Sequence, residues 1–400
     1  MADCCIIGGG VIGLSLAREL ARRGAAVEVL CRDPLDRTAS WAAAGIFPPV
    51  VGGDGGTGVE RFTAWSDRLH WEWARELADE TGIDNGLRRC GGLHVAGSAA
   101  GRTRLAGALE RWQGQGVRSI PCDGPEIAAA EPALAGAVAD GTIATGVVLP
   151  DETQIRTSRH LDALFAACRS RGVTITHATV HGLDITGDRV TGVRTESGTI
   201  HADRYCLAAG AWSGGLAKEL GLELRTRPIR GQIVLLRLPQ QVLTRIVSFG
   251  LDYLVPRPDG RLLVGATIED VGFDPVTTAE AEADLLGVAR RLLGDLPPHL
   301  VERTWAGLRP GSADGLPTLG RGPRCHNAWV AAGHFRAGIH QSTGSAVLVA
   351  DMMLGQRSPG RPPIDDGEFA PARPPATRRA DGESVGAYLA RVAESAAAPP

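Results

Sequence analysis

The residues most suited to chemistry come first in the chain. Gly8-Gly9-Gly10-Val11-Ile12-Gly13 matches G-x-G-x-x-G, in which each glycine has a separate task. One makes a tight turn, one lets the backbone approach a pyrophosphate, and one allows a helix to lie close on a strand. The N–H groups and positive dipole end of the following helix then suit an anion. A carboxylate for the ribose hydroxyls is expected where the second strand ends. Here Val29-Leu30 is followed by Cys31 and Arg32, and Asp33 lies two residues late. Arg32 would suit a 2′-phosphate and hence NADP. The expected arrangement is instead that backbone groups, Arg32 or Asp33 hold an unphosphorylated adenosine ribose.

These positions need a β–α–β frame, and the hydrophobic pattern supplies one. Asp3–Ile7 reads as a strand, Val11–Arg23 as a helix closed by Gly24, and Ala26–Leu30 as a second strand. Phe62–Gly82 has Trp65, Leu69, Trp73 and Leu77 at four-residue intervals, a stripe that belongs in a core. Strands are expected at Gly91–Ala96, Thr142–Leu149, Val173–His177, Val180–Thr186, Arg189–Glu196, Thr199–Ala202, Arg204–Ala208 and Ala328–Ala332. A β pattern also runs from Pro228 to Thr267. Further helices are expected at His160–Gly172, Ala279–Leu293 and Gly344–Leu354. Residues 357–400, rich in proline, alanine and charge, read as a loose tail.

Composition narrows the class. With 42 Lys+Arg against 45 Asp+Glu and no long basic run, the chain lacks the concentrated charge of a nucleic-acid or polybasic membrane binder. Glycine, at 53 of 400 residues, is about twice its usual ~7% share, which suits many tight turns or close backbone approaches. The eight cysteines include no C-x-x-C pair, and adjacent Cys4–Cys5 favours neither zinc nor a simple disulfide. No metal site is expected. The apolar strand at the N-terminus lacks the features of a signal peptide, and no apolar stretch reaches spanning length. A soluble, cytoplasmic protein is therefore expected.

Three further blocks carry a resemblance: Thr38-Ala39-Ser40-Trp41-Ala42-Ala43-Ala44-Gly45-Ile46, Leu207-Ala208-Ala209-Gly210-Ala211-Trp212-Ser213 and Gly333-His334-Phe335-Arg336-Ala337-Gly338-Ile339. Together with Trp305-Ala306-Gly307-Leu308-Arg309-Pro310, they make the chain resemble the D-amino acid oxidase family of FAD-dependent enzymes. Within that family it is most similar to the glycine oxidases of thiamine biosynthesis. The resemblance runs from about Cys4 to Gln356.

It implies an α/β fold of two domains, glutathione-reductase-like. A discontinuous FAD domain would use residues 1–88, 151–222 and 306–356, and a mixed-sheet substrate domain would use 89–150 and 223–305. By resemblance, Arg309 and Tyr253 bind the carboxylate of a small amino acid, and Arg336, beside the flavin and the substrate pocket, helps to anchor that carboxylate or interacts with the cofactor. A planar guanidinium such as Arg309 is independently suited to that task. Backbone groups of Gly338–His340 would lie near the flavin N1–C2=O edge, and Val180 against the adenine. His334 reads as a positional histidine rather than a base.

Leu251 and Ile268 depart from residues common in the substrate pocket, Ile268 standing where methionine is frequent. His340-Gln341-Ser342-Thr343 replaces a more apolar stretch. No cysteine lies between Cys206 and Cys325, where a related branch tethers its flavin near the region equivalent to Gly307–Gly311, so non-covalent FAD is expected.

The implied reaction moves a hydride from the substrate α-carbon to FAD, giving an imine that water hydrolyses, with O2 reduced to hydrogen peroxide. The sequence also allows two alternatives: a dehydrogenase passing electrons to a quinone or carrier, and a flavin-binding regulatory protein without turnover. Homo-oligomerisation and hand-over of the imine to a thiazole synthase are left open by the same resemblance.

Overall fold

The computed structural model describes residues 2–32, 34–51, 56–224, 226–312, 314–364 and 367–373. Asp33, a candidate ribose ligand, lies outside the described residues, as does the chain beyond Arg373.

The first strand, Ala2–Ile7, sits inside a six-stranded sheet. In spatial order the strands are Thr318–Arg321, Ala328–Ala332, Ala202–Leu207, Ala2–Ile7, Val27–Cys31 and Thr174–His177. All neighbours are parallel except the antiparallel edge strand Thr318–Arg321. A central parallel strand is buried on both faces, which explains the unbroken apolar run of Cys4-Cys5-Ile6-Ile7. Because strand side chains alternate, Cys4 and Ile6 join the core on one face while Cys5 and Ile7 join that on the other. The adjacent thiols are thus held on opposite sides of the sheet. Burial pushes Cys4 up to about 11 and Cys5 further still, so neither is a ready nucleophile.

Helices Val11–Arg22, Gly58–Thr81, Thr157–Ser170 and Ser342–Leu354 supply the core on the first face. The second face is covered by an antiparallel sheet of Val180–Thr186, Arg189–Thr195 and Gly198–Ile200. The tryptophan stripe behaves as its spacing predicts, with Trp65, Trp73 and Leu77 buried. That helix starts at Gly58, four residues before the expected Phe62, because Thr57 and Glu60 form a reciprocal capping box.

An eight-stranded sheet forms the second layer system. Its order is Val301–Gly311, Arg227–Arg237, Arg261–Gly265, Asp252–Pro256, Ile246–Phe249, Gly92–Ala96, Thr145–Leu149 and Ile120–Asp123. One pairing, Ile246–Phe249 with Gly92–Ala96, is parallel and the rest are antiparallel. Helix Ala279–Leu293 packs on one face through Leu285, Ala289 and Leu292.

The start of the proline-rich segment is docked rather than loose. Phe369 is fully buried against Phe62, with ring centroids 5.0 Å apart, and its carbonyl accepts from Leu319 N–H at 2.8 Å. Arg373 pairs with Asp314 at 2.8 Å. A composition count missed this because one aromatic residue supplies most of the anchoring. Phe369→Ala should therefore cost about 3–5 kcal/mol, the usual loss for a buried phenylalanine. A urea midpoint unchanged from wild type would show the segment to be energetically idle.

Candidate functional site

The glycine turn opens onto a cavity of about 1060 Å3 that continues to the face of the eight-stranded sheet. Gly8 has φ +122°, and a Cβ there would stand 2.3 Å from the Ala208 carbonyl oxygen. A Cβ on Gly13 would stand 1.8 Å from the Gly8 carbonyl oxygen. Gly13 does not line the cavity; it lets helix Val11–Arg22 rest on the loop, the packing task expected of the third glycine. Gly10 precedes that helix, and Ser40 Oγ accepts from the Val11 N–H at 3.0 Å.

Gly8, Gly10, Val11, Ile12, Cys31, Arg32, Val180 and Gly210 line the dinucleotide part of the cavity. Arg32 lies over the Trp212 indole at 4.5 Å, a cation–π arrangement that fixes the arginine at the end of the second strand. Ala39, Ser40, Ala44, Gly45 and Ile46 form a small-residue flank. Gly45 has φ +72° and stands so close to Ile155 that a Cβ would be 2.2 Å from its carbonyl oxygen. Sequence reading missed the strut behind this flank. Arg257, 4% exposed, donates to the Ala44 carbonyl at 2.8 Å and to Gln154 Oε1 at 2.6 Å. Burial, with Arg156 and Arg88 nearby, lowers its pKa to about 9. Its signal was present as Tyr253-x-x-x-Arg257, but nothing local says what it holds.

Strand register builds the other part of the cavity. His94, Ser248, Tyr253, Gly265, Ile233 and Trp305 form one cross-strand row. Glycine lies beneath each large polar group. A Cβ on Gly265 would be 2.7 Å from the Tyr253 ring, and one on Gly231 2.2 Å from the Arg309 guanidinium. Both side chains can therefore lie against the sheet. Arg309 Nη1 donates to the carbonyls of Thr267 at 3.0 Å and Arg230 at 3.3 Å, which fixes the fork. Burial raises the Tyr253 pKa, with Arg309 and Arg336 opposing, so the phenol keeps its proton as a donor. Arg309, Tyr253 and Arg336 all line this part, as does Leu251.

The segment His334–His340 closes the site, and all seven residues, Phe335, Ala337, Gly338 and Ile339 included, line the cavity. Phe335 has φ +48°, unusual for a bulky residue, and its N–H donates to the Pro310 carbonyl at 3.0 Å. His334 is buried beside Ser345 Oγ at 2.8 Å, and burial lowers its pKa to about 3. It is a neutral positional group.

Ile268 does not line the cavity. It sits half-buried between Thr267, whose carbonyl holds Arg309, and Glu269, whose backbone pairs with Arg230. The expectation carried by the resemblance, that Ile268 stands in the substrate pocket, is corrected accordingly: the strand ends at Gly265, three residues before it, and the chain beyond takes its own course.

Asp252, next to Tyr253, has its pKa raised from 3.8 to about 6, chiefly by burial. Ionisation therefore costs the folded state most above about pH 6, and the cost fades as pH falls toward 3.8. Asp252→Asn should stabilise the protein at pH 8 by on the order of 1 kcal/mol or more, and much less near pH 4. An equal thermal shift at both pH values would contradict this origin.

The cavity, its glycine cradle and its helix N-terminus fit an elongated dinucleotide, and Arg309 and Tyr253 line the part of the cavity that lies against the eight-stranded sheet. Residues 3–352 match the model of a family described as FAD dependent oxidoreductase. The chain belongs to that family. A glycine oxidase of Pseudomonas aeruginosa is 36% identical over 92% of this chain and 98% of its own length. A bifunctional protein ThiO/ThiG of a Nostoc species is 37% identical over 89% of this chain, which spans 53% of that longer protein. The crystal structure of glycine oxidase from Geobacillus kaustophilus superposes with a TM-score of 0.86 at 30% identity, covering 93% of this chain and 99% of its own. As a member of the FAD-dependent oxidoreductases, the protein is an FAD-dependent amino acid oxidoreductase with the two-domain fold of these flavoenzymes. Among the described residues, no helix is long and apolar enough to cross a membrane, and no group of metal-ligating side chains gathers.

Proposed function

We propose that the protein oxidatively deaminates glycine and small amines or D-amino acids. The observation that carries this reading is the convergence of Arg309, Tyr253 and Arg336 in a cavity that begins at the glycine turn. Arg309 would take the substrate carboxylate through its planar fork, with Tyr253 donating a second hydrogen bond and Arg336 adding positive charge. Bound FAD supplies the acceptor chemistry, taking a hydride from the α-carbon and passing the electrons to O2 to give hydrogen peroxide.

The chain's own contribution is orientation. Gripping one end of a two-carbon acid leaves its α-carbon little freedom, which is the main aid such a transfer needs. Neutral, buried His334 is not called on as a base. Water then hydrolyses the released imine to glyoxylate and ammonia. The fused relatives support a further reading, in which the imine passes to a thiazole synthase during thiamine formation.

Cys31 is the cysteine that lines the cavity, and it lies at the dinucleotide end, away from Arg309 and Tyr253. The proposed reading takes FAD as non-covalently held and O2 as the acceptor. A peroxide-coupled screen of glycine, sarcosine, D-alanine and D-phenylalanine tests the reading. Peroxide from glycine supports it. No peroxide with any amine, while an artificial electron acceptor is reduced, would indicate a dehydrogenase instead.

A further inference from the structure

Exposed apolar side chains gather at one place. Among the described residues, five large hydrophobic side chains are exposed, and four of them, Trp212, Val271, Phe273 and Val276, belong to one loop and the indole it touches. The loop, residues 266–278, joins strand Arg261–Gly265 to helix Ala279–Leu293. Its tip, Phe273, is 52% exposed yet packs on Trp212 with ring centroids 5.4 Å apart. These groups are held in place. Buried Arg230 donates to Asp274 Oδ2 and to the Val276 carbonyl, both at 2.9 Å, and Arg227 pairs with Asp270 at 2.9 Å. Apolar surface left in water is costly, and a cluster of it on a fixed loop marks an interaction surface.

The chain itself carries a segment that fits. After Ser384, the sequence places Val385, Tyr388, Leu389 and Val392 at i, i+3, i+4 and i+7. That is the spacing of one apolar helical face, with Arg391 and Glu394 falling on the opposite side. Ser384 stands at the position of a helix N-cap. All of these lie beyond Arg373, where the described residues end. Arg373 pairs with Asp314, three residues past Gly311, and Gly311 pairs across the sheet with Arg227, which holds Asp270. The described chain thus ends beside the strand pair that anchors the loop. The eleven residues 374–384 can span up to roughly 36 Å. They include Arg378 and Arg379, while the loop offers Asp270 and Asp274, each about half exposed.

We propose that residues 385–392 dock as an amphipathic helix on the patch formed by Trp212, Val271, Phe273 and Val276. So short a segment is marginal as a free helix. Tethering makes its docking intramolecular, so a modest apolar contact suffices. The docked segment lies beside the dinucleotide end of the cavity, which Trp212 lines.

Photocross-linking of full-length holoenzyme with p-benzoylphenylalanine in place of Phe273 tests this. An equal mixture of isotopically light and heavy protein separates links within one chain from links between copies. The expected product joins position 273 to residues 385–392 of the same chain. Val385→Asp with Leu389→Asp puts two carboxylates on the apolar face and should cut the yield of that product at least about fivefold, because burying an unpaired charge is costly. Val385→Leu with Leu389→Met keeps the face apolar and should keep the yield.

Links between copies would make the patch an interface between two copies of the chain and overturn the proposal. Links confined to residues 2–373, or a yield that the two aspartates leave unchanged, would also overturn it.

Discussion

Arg309→Ala should lower kcat/KM for glycine by about ten- to a hundredfold and leave FAD content unchanged. A charge-assisted hydrogen bond contributes about 1.5–3 kcal/mol, and each ~1.4 kcal/mol is a decade in rate. The guanidinium stands over Gly231 and donates to the Thr267 and Arg230 carbonyls. Deleting it removes the carboxylate partner but touches nothing near Gly8–Gly13. Arg309→Lys keeps the charge and loses the planar fork, so it should recover only part of the loss. If the arginine merely braces the sheet, kcat/KM per folded holoenzyme would stay at the wild-type value while the melting temperature falls.

Gly13→Ala should yield a colourless protein. Its Cβ would lie 1.8 Å from the Gly8 carbonyl oxygen, a backbone atom that cannot swing aside. Either helix Val11–Arg22 retreats or the glycine turn moves, and both remove N–H groups from the phosphate position. FAD affinity should fall at least roughly a hundredfold, or about 2.7 kcal/mol, and stability should fall with it. Gly10→Ala provides the contrast, because a Cβ there meets only Ser40 Oγ, at 3.3 Å. Its apo-protein should melt near the wild-type temperature while FAD binding is weakened by obstruction of the pyrophosphate. Flavin fluorescence titration of both apo-proteins checks this pair. A Gly13→Ala protein that binds FAD normally would show that the turn does not hold the phosphates.

The dinucleotide half was readable because its signals are local. A strand, a glycine turn and a helix lie within about thirty residues, and Gly13 and Gly8 are required by backbone contacts five residues away and one strand across. The sheet half was less readable because its geometry comes from register. His94 reaches the cavity wall through parallel pairing with Ser248, far along the chain, and is held by buried Glu152 at 3.0 Å. No window of sequence brings those three together.

The helix face of Thr63, Ser66, Asp67 and His70, which hydrogen-bonds residues 339–344, was hidden for a different reason: the tryptophan stripe on the same helix dominated its pattern. The early start at Gly58 could have been read from Thr57-x-x-Glu60, which is a capping signal. Ile268 was misplaced by carrying a family position past the end of a strand. Phe369 was overlooked because the proline-rich composition around it masked one anchoring ring.

In the proposed reaction, FAD held in this cavity would take electrons from glycine clamped at Arg309 and Tyr253. Anaerobic mixing of the holoenzyme with glycine, followed at the flavin absorbance band and then quenched for product, tests it most directly. The oxidised flavin should bleach with one glyoxylate formed per flavin reduced, and the band should recover with hydrogen peroxide on admitting O2. A flavin that stays oxidised with glycine but is bleached by D-phenylalanine would contradict it and make the protein a general D-amino acid oxidase.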